Sequence, residues 1–465
     1  MRKTFIFKCT VIAICFFTIG SLKAQTVEEH NNKDIIPNKE ERIYSLSKIW
    51  KELEYNFAFP EKLKIANLDS LYLAYLPLVE NAPDNYAYYR ILCSFMAHFD
   101  EAHTRIIPPS TIMNKMPPIV LSNIGKHIFV KNVAQDLLKD IPLNSEVIAV
   151  NEVPTEDYLK DSVYQYISAA TPHWKFDKAV TEMLNGRPNT KVTLTIQLPK
   201  GNLRTIELTR NYQSDQFHLP MADTTKILPL QIKYLSDDIA YLHLSTCNGK
   251  DLEQIERTFQ QHLNKLLACK GLIIDVRGNR GGTDQAWYPI AFHSISNKEF
   301  RDKGKWMSRT HVASYKSYGE WNKYMRDYYE GKAMTEIKHP PYKPNIPDSL
   351  KLNQPMIILS GKYVGSASED FVQLMKEFKR AVIIGEPTVG CMGEPSFVDL
   401  PGGYTAMIST KSYQAEDGSQ PNDTGILPDI EVKQNFDIFL KGKDNQLEYA
   451  IKELKKERYE THIHP

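Results

Sequence analysis

The chain has 465 residues, 42% of them hydrophobic and 24% charged, and its 57 basic against 56 acidic residues give a formal net charge of +1. That length accommodates two or three domains with cores of their own. The balanced charge and the lack of a long basic run or RNA-binding signature argue against nucleic acid or an anionic membrane surface as partner.

The N-terminal segment differs from the rest. Arg2 and Lys3 precede a mostly apolar stretch from Phe5 to Ile19, and Ser21-Leu22-Lys23-Ala24 then offers a small residue for cleavage before Gln25. Residues 1–24 therefore read as a secretory signal peptide, and the chain is expected to be exported, periplasmic or associated with the cell envelope. An uncleaved anchor is the competing reading, but the stretch is short for a spanning helix. No other segment approaches membrane-spanning length, so no stable span is expected after cleavage. Cys93, Cys247, Cys269 and Cys391 are too few and too scattered for a disulfide framework. Neither a CxxC pair nor an HExxH helix occurs, and no metal or organic cofactor is implied.

Residues 25–42 are polar and aperiodic, as expected of a flexible lead-in. From Ile43 the apolar positions recur at helical spacing through Leu46, Ile49, Trp50 and Leu53. Further helical runs cover Leu71 to Val79 and Tyr86 to Phe99. Residues 43–110 are thus a predicted helical bundle, closed by Pro108-Pro109. From about Ile119 the texture changes to β-branched runs at 128–130, 146–150, 191–196 and 204–208, with a helical stretch from Phe176 to Leu184. Residues 115–213 suggest a compact β-rich binding module. Residues 225–435 alternate strand and helix: strands at Ile239–Leu244, Gly271–Val276, Met356–Leu359 and Ala381–Ile384, helices at Leu252–Leu267 and Ala367–Phe378. This pattern predicts an α/β layer with crossover connections. Lys303 to Leu350 has weak periodicity and is expected to form an irregular flap over the site. Residues 436–465 hold a final amphipathic helix from Asn445 to Glu457 and a tail.

Gly365-Ser366-Ala367-Ser368-Glu369-Asp370 lies between an apolar strand and an apolar-faced helix, which places Ser366 at a strand-to-helix corner. The first helical N–H groups there are unpaired and point toward developing negative charge, as attack by a serine on a carbonyl requires. A second feature, Arg277-Gly278-Asn279-Arg280-Gly281-Gly282, follows a buried strand. It is neither a G-x-G-x-x-G fingerprint nor a P-loop, and alone it reads as a tight turn needing positive φ.

Taken together, these stretches resemble the tail-specific (C-terminal processing) serine peptidases. Asp275-Val276-Arg277-Gly278-Asn279-Arg280-Gly281-Gly282 matches that family's D-x-R-x-N-x-G-G signature. The likeness continues through Gly365 to Glu369, through Gly385-Glu386-Pro387-Thr388-Val389-Gly390, and through Gly425 to Ile430. The resemblance implies a ClpP/crotonase-like α/β catalytic core preceded by a PDZ-like domain, with Ser366 as nucleophile and backbone N–H groups of Ala367 and of the Gly281-Gly282 turn as the oxyanion hole. Ser368 is the nearest rival and is expected to cap or pack the helix start; Arg277 and Asn279 are expected to hold the turn.

The chain departs from the Ser–Lys branch of that family. Cys391 occupies the place of the lysine, and a thiol is a poor base for serine. The tricorn-like branch draws a histidine from an upstream segment, and Phe99-Asp100-Glu101-Ala102-His103-Thr104 is similar to it. By that resemblance His103 is the general base, with Asp423, Asp100 or Glu101 as the orienting acid. Two readings follow. One is an exported serine endopeptidase acting on polypeptides, with recognition through the substrate's C-terminus as an expectation from the resemblance. The other is an inactive peptidase-like protein that binds polypeptides or other ligands, in keeping with Cys391 and with Ala102 beside His103.

Overall fold

The computed structural model describes residues 36–110, 115–211, 227–296 and 298–463. The expected signal peptide and most of the lead-in lie outside these residues. The first helix, Lys39–Asn56, begins four residues before Ile43 because Asn38 and Glu41 form a capping box. The Asn38 side chain accepts from Glu41 N at 2.9 Å and the Glu41 carboxylate accepts from Asn38 N at 2.8 Å. Helices Leu68–Glu80 and Asn85–Ala97 follow where the periodicity places them; the short Pro60–Ala66, opened by a proline, was hidden from it.

These helices do not complete a core alone. Leu46, Ile49, Leu53, Tyr88 and Phe95 share one buried cluster with Val398, Leu400, Tyr404, Ala406 and Ile408, more than 300 residues later. The carriers of the latter are strands Pro395–Leu400 and Tyr404–Ser409, and Arg105–Ile107 adds to them antiparallel, with Arg105 opposite Met407. The segment immediately after His103 is thereby stitched to the C-terminal third of the chain.

Strands Ile119–Ile124, His127–Val133, Glu146–Val150, Lys191–Gln197 and Leu203–Thr209 form an antiparallel sheet over a core of their own. Helix Pro172–Glu182 packs on it, starting earlier than Phe176 because Thr171 caps it and Pro172 occupies its first turn.

The largest core surrounds a sheet in the order Ile430–Glu431, Val382–Gly385, Met356–Ser360, Gly271–Asp275, Ile239–Leu244, Leu230–Tyr234. All neighbours are parallel except the last pair. Alternate residues face opposite ways. Leu272, Ile274 and Ile358 pack with Phe259 and Phe371, whereas Ile273, Ile357, Leu359 and Ile384 pack with Ala450 and Leu454 of the last helix, Asn445–Ile463. The fold is mixed α/β.

Lys303 to Leu350 is more ordered than expected. Lys305–Arg309 pairs antiparallel with Met334–Ile337 and with Ser412–Gln414 in a three-stranded sheet. Its pairing to a strand a hundred residues downstream, rather than any local alternation, organises the segment. Cys93, Cys247, Cys269 and Cys391 are unbridged. Among the described residues no helix is long and apolar enough to cross a membrane.

Candidate active site

Ser366 follows the buried strand Met356–Ser360 and immediately precedes helix Ala367–Glu377. Its backbone, φ 54° and ψ −132°, lies in a region that L-residues rarely adopt. What holds it there is the fully buried Glu369. One oxygen of that carboxylate accepts from Ser366 N at 3.1 Å and Cys391 N at 2.9 Å; the other accepts from Thr388 Oγ1 at 2.5 Å and Gly390 N at 2.8 Å. Burial raises the Glu369 pKa, and the hydrogen bonds from Thr388, Gly390 and Cys391 oppose the shift. Ser368 is fully buried in the first helical turn and packs inward.

The glycine turn rests directly on this corner. A Cβ on Gly281 (φ +90°) would stand 2.5 Å from Gly365 O, 2.7 Å from Ser366 Cβ and 3.0 Å from Ala367 N. One on Gly282 (φ +145°) would stand 2.1 Å from Cys247 O. Buried Asn279 fixes the turn, as expected of it. Its side chain donates to Leu244 O at 3.2 Å and accepts from Gly281 N at 3.0 Å, and its carbonyl accepts from Gly365 N at 3.2 Å. The Gly281 N–H is therefore already engaged. Among the described residues no acceptor is bonded to Gly282 N or Ala367 N. Arg277 reaches away to Asp275 and Asp444, both at 2.6 Å, and anchors the segment before the last helix.

His103 sits in the turn between helix Asn85–Ala97 and strand Arg105–Ile107. Its neighbour Ala102 is buried against Val389 and Cys391, and Cys391 Sγ lies 3.2 Å from Ser366 N. The histidine-bearing turn thus borders the loop that grips the serine corner. Burial lowers the His103 pKa, with the Glu101 charge acting the other way. Its Nδ1 is buried and without a hydrogen-bond partner.

The three candidate acids fare differently. Asp423 is 51% exposed and pairs with Lys62 at 3.3 Å. Asp100 is 62% exposed and lies 3.8 Å from Lys175. Glu101 is fully buried; one oxygen accepts from Thr104 Oγ1 at 2.6 Å and the other has no partner. The Cys391 thiol is held well above its ordinary value by burial, then by Glu369 and Glu101.

Sequence reasoning missed three contributors. Lys362, in the loop before Ser366, donates to Asn123 O at 2.7 Å and Asp177 Oδ1 at 2.9 Å, and His173 Nε2 meets Thr388 O at 2.7 Å. Both tie the β-rich region to the serine corner. The third is a pair of acids. Ser366, Ala367 and Gly282 line a cavity of about 400 Å³ together with Asp284, Asp370, Asp302, Trp287, Tyr342 and other residues. Burial pushes Asp284 up to about 6, and burial with the Asp284 charge pushes Asp370 well above the carboxylate range. The signal was present, since Asp370 follows Ser366 by four residues on a helix and so shares its face.

Residues 238–432 match the model of peptidase family S41. Among curated proteins, the chain is 25% identical over 259 residues to the chloroplastic C-terminal processing peptidase of Tetradesmus obliquus, covering 54% of this chain but only 48% of that protein, about half its length. It is 22% identical over 369 residues to the carboxyl-terminal-processing protease of Picosynechococcus sp., covering 78% of this chain and 77% of the relative. Among solved structures, mature CPAF superposes with a TM-score of 0.66 at 15% identity, over 86% of this chain and 94% of that one, which is a likeness of fold. Through residues 238–432 this chain is thus similar to peptidase family S41, and the curated relatives it resembles are C-terminal processing proteases.

Proposed function

We propose that the protein is an exported serine endopeptidase of the C-terminal processing type, with Ser366 as nucleophile and His103 as general base. The observation that carries this reading is the contact of the Gly281-Gly282 turn with a strained serine at a helix N-terminus. Ser366 Oγ attacks the peptide carbonyl while neutral His103 takes its proton. The oxyanion is received by the N–H groups of Ala367 and Gly282. The tetrahedral intermediate collapses, the amine leaves with the proton from His103, and water hydrolyses the acyl-enzyme by the same route.

Glu101 is the orienting acid in this scheme, because it alone of the three candidates is buried and lacks a surface lysine partner. Cys391 plays no base role, as its thiol stays protonated at neutral pH. The core is ClpP/crotonase-like, and the sheet over residues 119–209 is a PDZ-like module that captures an extended polypeptide by strand addition and presents its C-terminal end. The ties through Lys362 and His173 support such a hand-over.

A fluorophosphonate probe tests the proposal. It should label Ser366, with labelling lost in Ser366→Ala and strongly reduced in His103→Ala. A folded protein that resists the probe yet binds peptide would establish the competing role of an inactive polypeptide-binding scaffold.

A further inference from the structure

The cavity beside Ser366 has a composition that its neighbours do not require. Ser366 and Asp370 lie one helical turn apart on one face, with Asp370 N bonded to Ser366 O at 3.1 Å, so Asp370 stands one turn beyond the serine. Asp284 enters from the other side, two residues after the Gly281-Gly282 turn. Both acids therefore hang from the two elements that the proposed chemistry uses.

The walls are aromatic, with Trp287, Trp306, Tyr342 and Tyr413 among them. Asp302 is satisfied in part by Trp306 Nε1 at 2.9 Å. The lining cation, Lys411, is matched by Glu394 at 2.5 Å. The aspartates are thus in excess. Asp370 Oδ1 is buried in this lining and receives no N–H or hydroxyl donor among the described residues; its one close polar partner is the facing Asp284 carboxyl, with which it shares a proton. A buried acceptor left without such a donor is unfavourable, and a donor entering the cavity relieves it.

We infer that this cavity is the specificity pocket for the residue supplying the attacked carbonyl, and that it selects lysine or arginine through Asp284 and Asp370. An alkyl stem packs between aromatic rings, and its cationic head gains cation–π contact and reaches the carboxyls. A volume of about 400 Å³ lies toward the lower end of the range for ligand sites and has room for one long side chain. This inference rests on the proposed peptidase reading, which it deepens by naming the substrate class.

Peptidyl diphenyl phosphonates ending in lysine, arginine, norleucine or alanine test it, with modification located at Ser366 by mass spectrometry. The lysyl and arginyl reagents should react roughly tenfold or more faster than norleucyl, a preference of about 1.4 kcal/mol. Asp284→Asn and Asp370→Asn should each collapse that ratio. Equal rates in the parent protein, or a ratio that survives both substitutions, would overturn the inference while leaving the peptidase reading intact. Should Ser366 resist every electrophile, the peptidase reading fails instead. The pocket is then judged by calorimetric binding of lysine-containing and norleucine-containing peptides to Ser366→Ala, where equal dissociation constants overturn it and tighter binding of lysine supports it.

Discussion

Gly281 lies so close to Ser366 that a Cβ on the glycine would stand 2.7 Å from the serine Cβ and 2.5 Å from Gly365 O. Neither neighbour can yield, since the Gly365 N–H is held by Asn279 O and the Ser366 N–H by Glu369. Alanine there meets this contact and, at φ +90°, backbone strain as well. Gly281→Ala should therefore push the turn away from the corner and cut fluorophosphonate labelling by about 100-fold or more, the scale of losing an oxyanion donor. Circular dichroism checks that the fold survives. A folded variant labelled at the parental rate would dissociate the turn from the chemistry.

The acid limb of the labelling profile should report His103. Burial lowers its pKa, so the neutral imidazole persists below the ordinary value of 6.5. The rate should hold as pH falls through 6.5 and drop only beyond it. The Glu101 charge raises the His103 pKa, so Glu101→Gln should move the limb to still lower pH and reduce the plateau. Rate against pH for the two proteins checks both shifts, and an unmoved limb would remove Glu101 from the proposed triad.

Asp284 and Asp370 imply an opposite trend in stability. A carboxyl whose folded pKa is raised binds more protons folded than unfolded, so stability falls as pH climbs from the unfolded to the folded value. For Asp284 that window runs from 3.8 to about 6. Asp302, Glu394, Lys411, His339, Tyr288 and Tyr342 face the same cavity and set the background. Asp370→Asn removes one of the competing charges and should flatten the decline by an amount on the order of 1–3 kcal/mol. Thermal midpoints at pH 4 and pH 7, parent against variant, measure it.

Much of the serine corner was legible because it is local. A strand, a serine, a helix and a glycine turn each leave their mark within ten residues. The strands Pro395–Leu400 and Tyr404–Ser409 left little, because their inner residues are buried against helices encoded some 300 positions earlier. Packing likewise separates the three acids weighed as partners of His103. Asp100, Glu101 and Asp423 are equivalent as letters, and only packing leaves Glu101 buried while Lys175 and Lys62 meet the other two. Lys303 to Leu350 was misread because its order comes from pairing with Ser412–Gln414.

Cys391 bears most directly on the choice between the lysine-based and histidine-based readings weighed from the sequence. By the sequence resemblance it would take the place of the Ser–Lys base, and its Sγ lies 3.2 Å from Ser366 N, so position alone would nominate it. Its surroundings speak against that role, since burial and the nearby Glu369 and Glu101 hold the thiol protonated. Its role is to fill the space between Ala102, Val389 and Trp174 and to accept from the serine backbone. Serine preserves the accepting atom and nearly the volume. Cys391→Ser should destabilise the protein by about 1 kcal/mol and label at a rate close to the parental one. Iodoacetamide at neutral pH should also leave Cys391 unmodified in the folded protein, as tryptic mass spectrometry would record. Loss of labelling in a well-folded Cys391→Ser, with rapid alkylation of the parent at this position, would transfer the activating role from His103 to the cysteine.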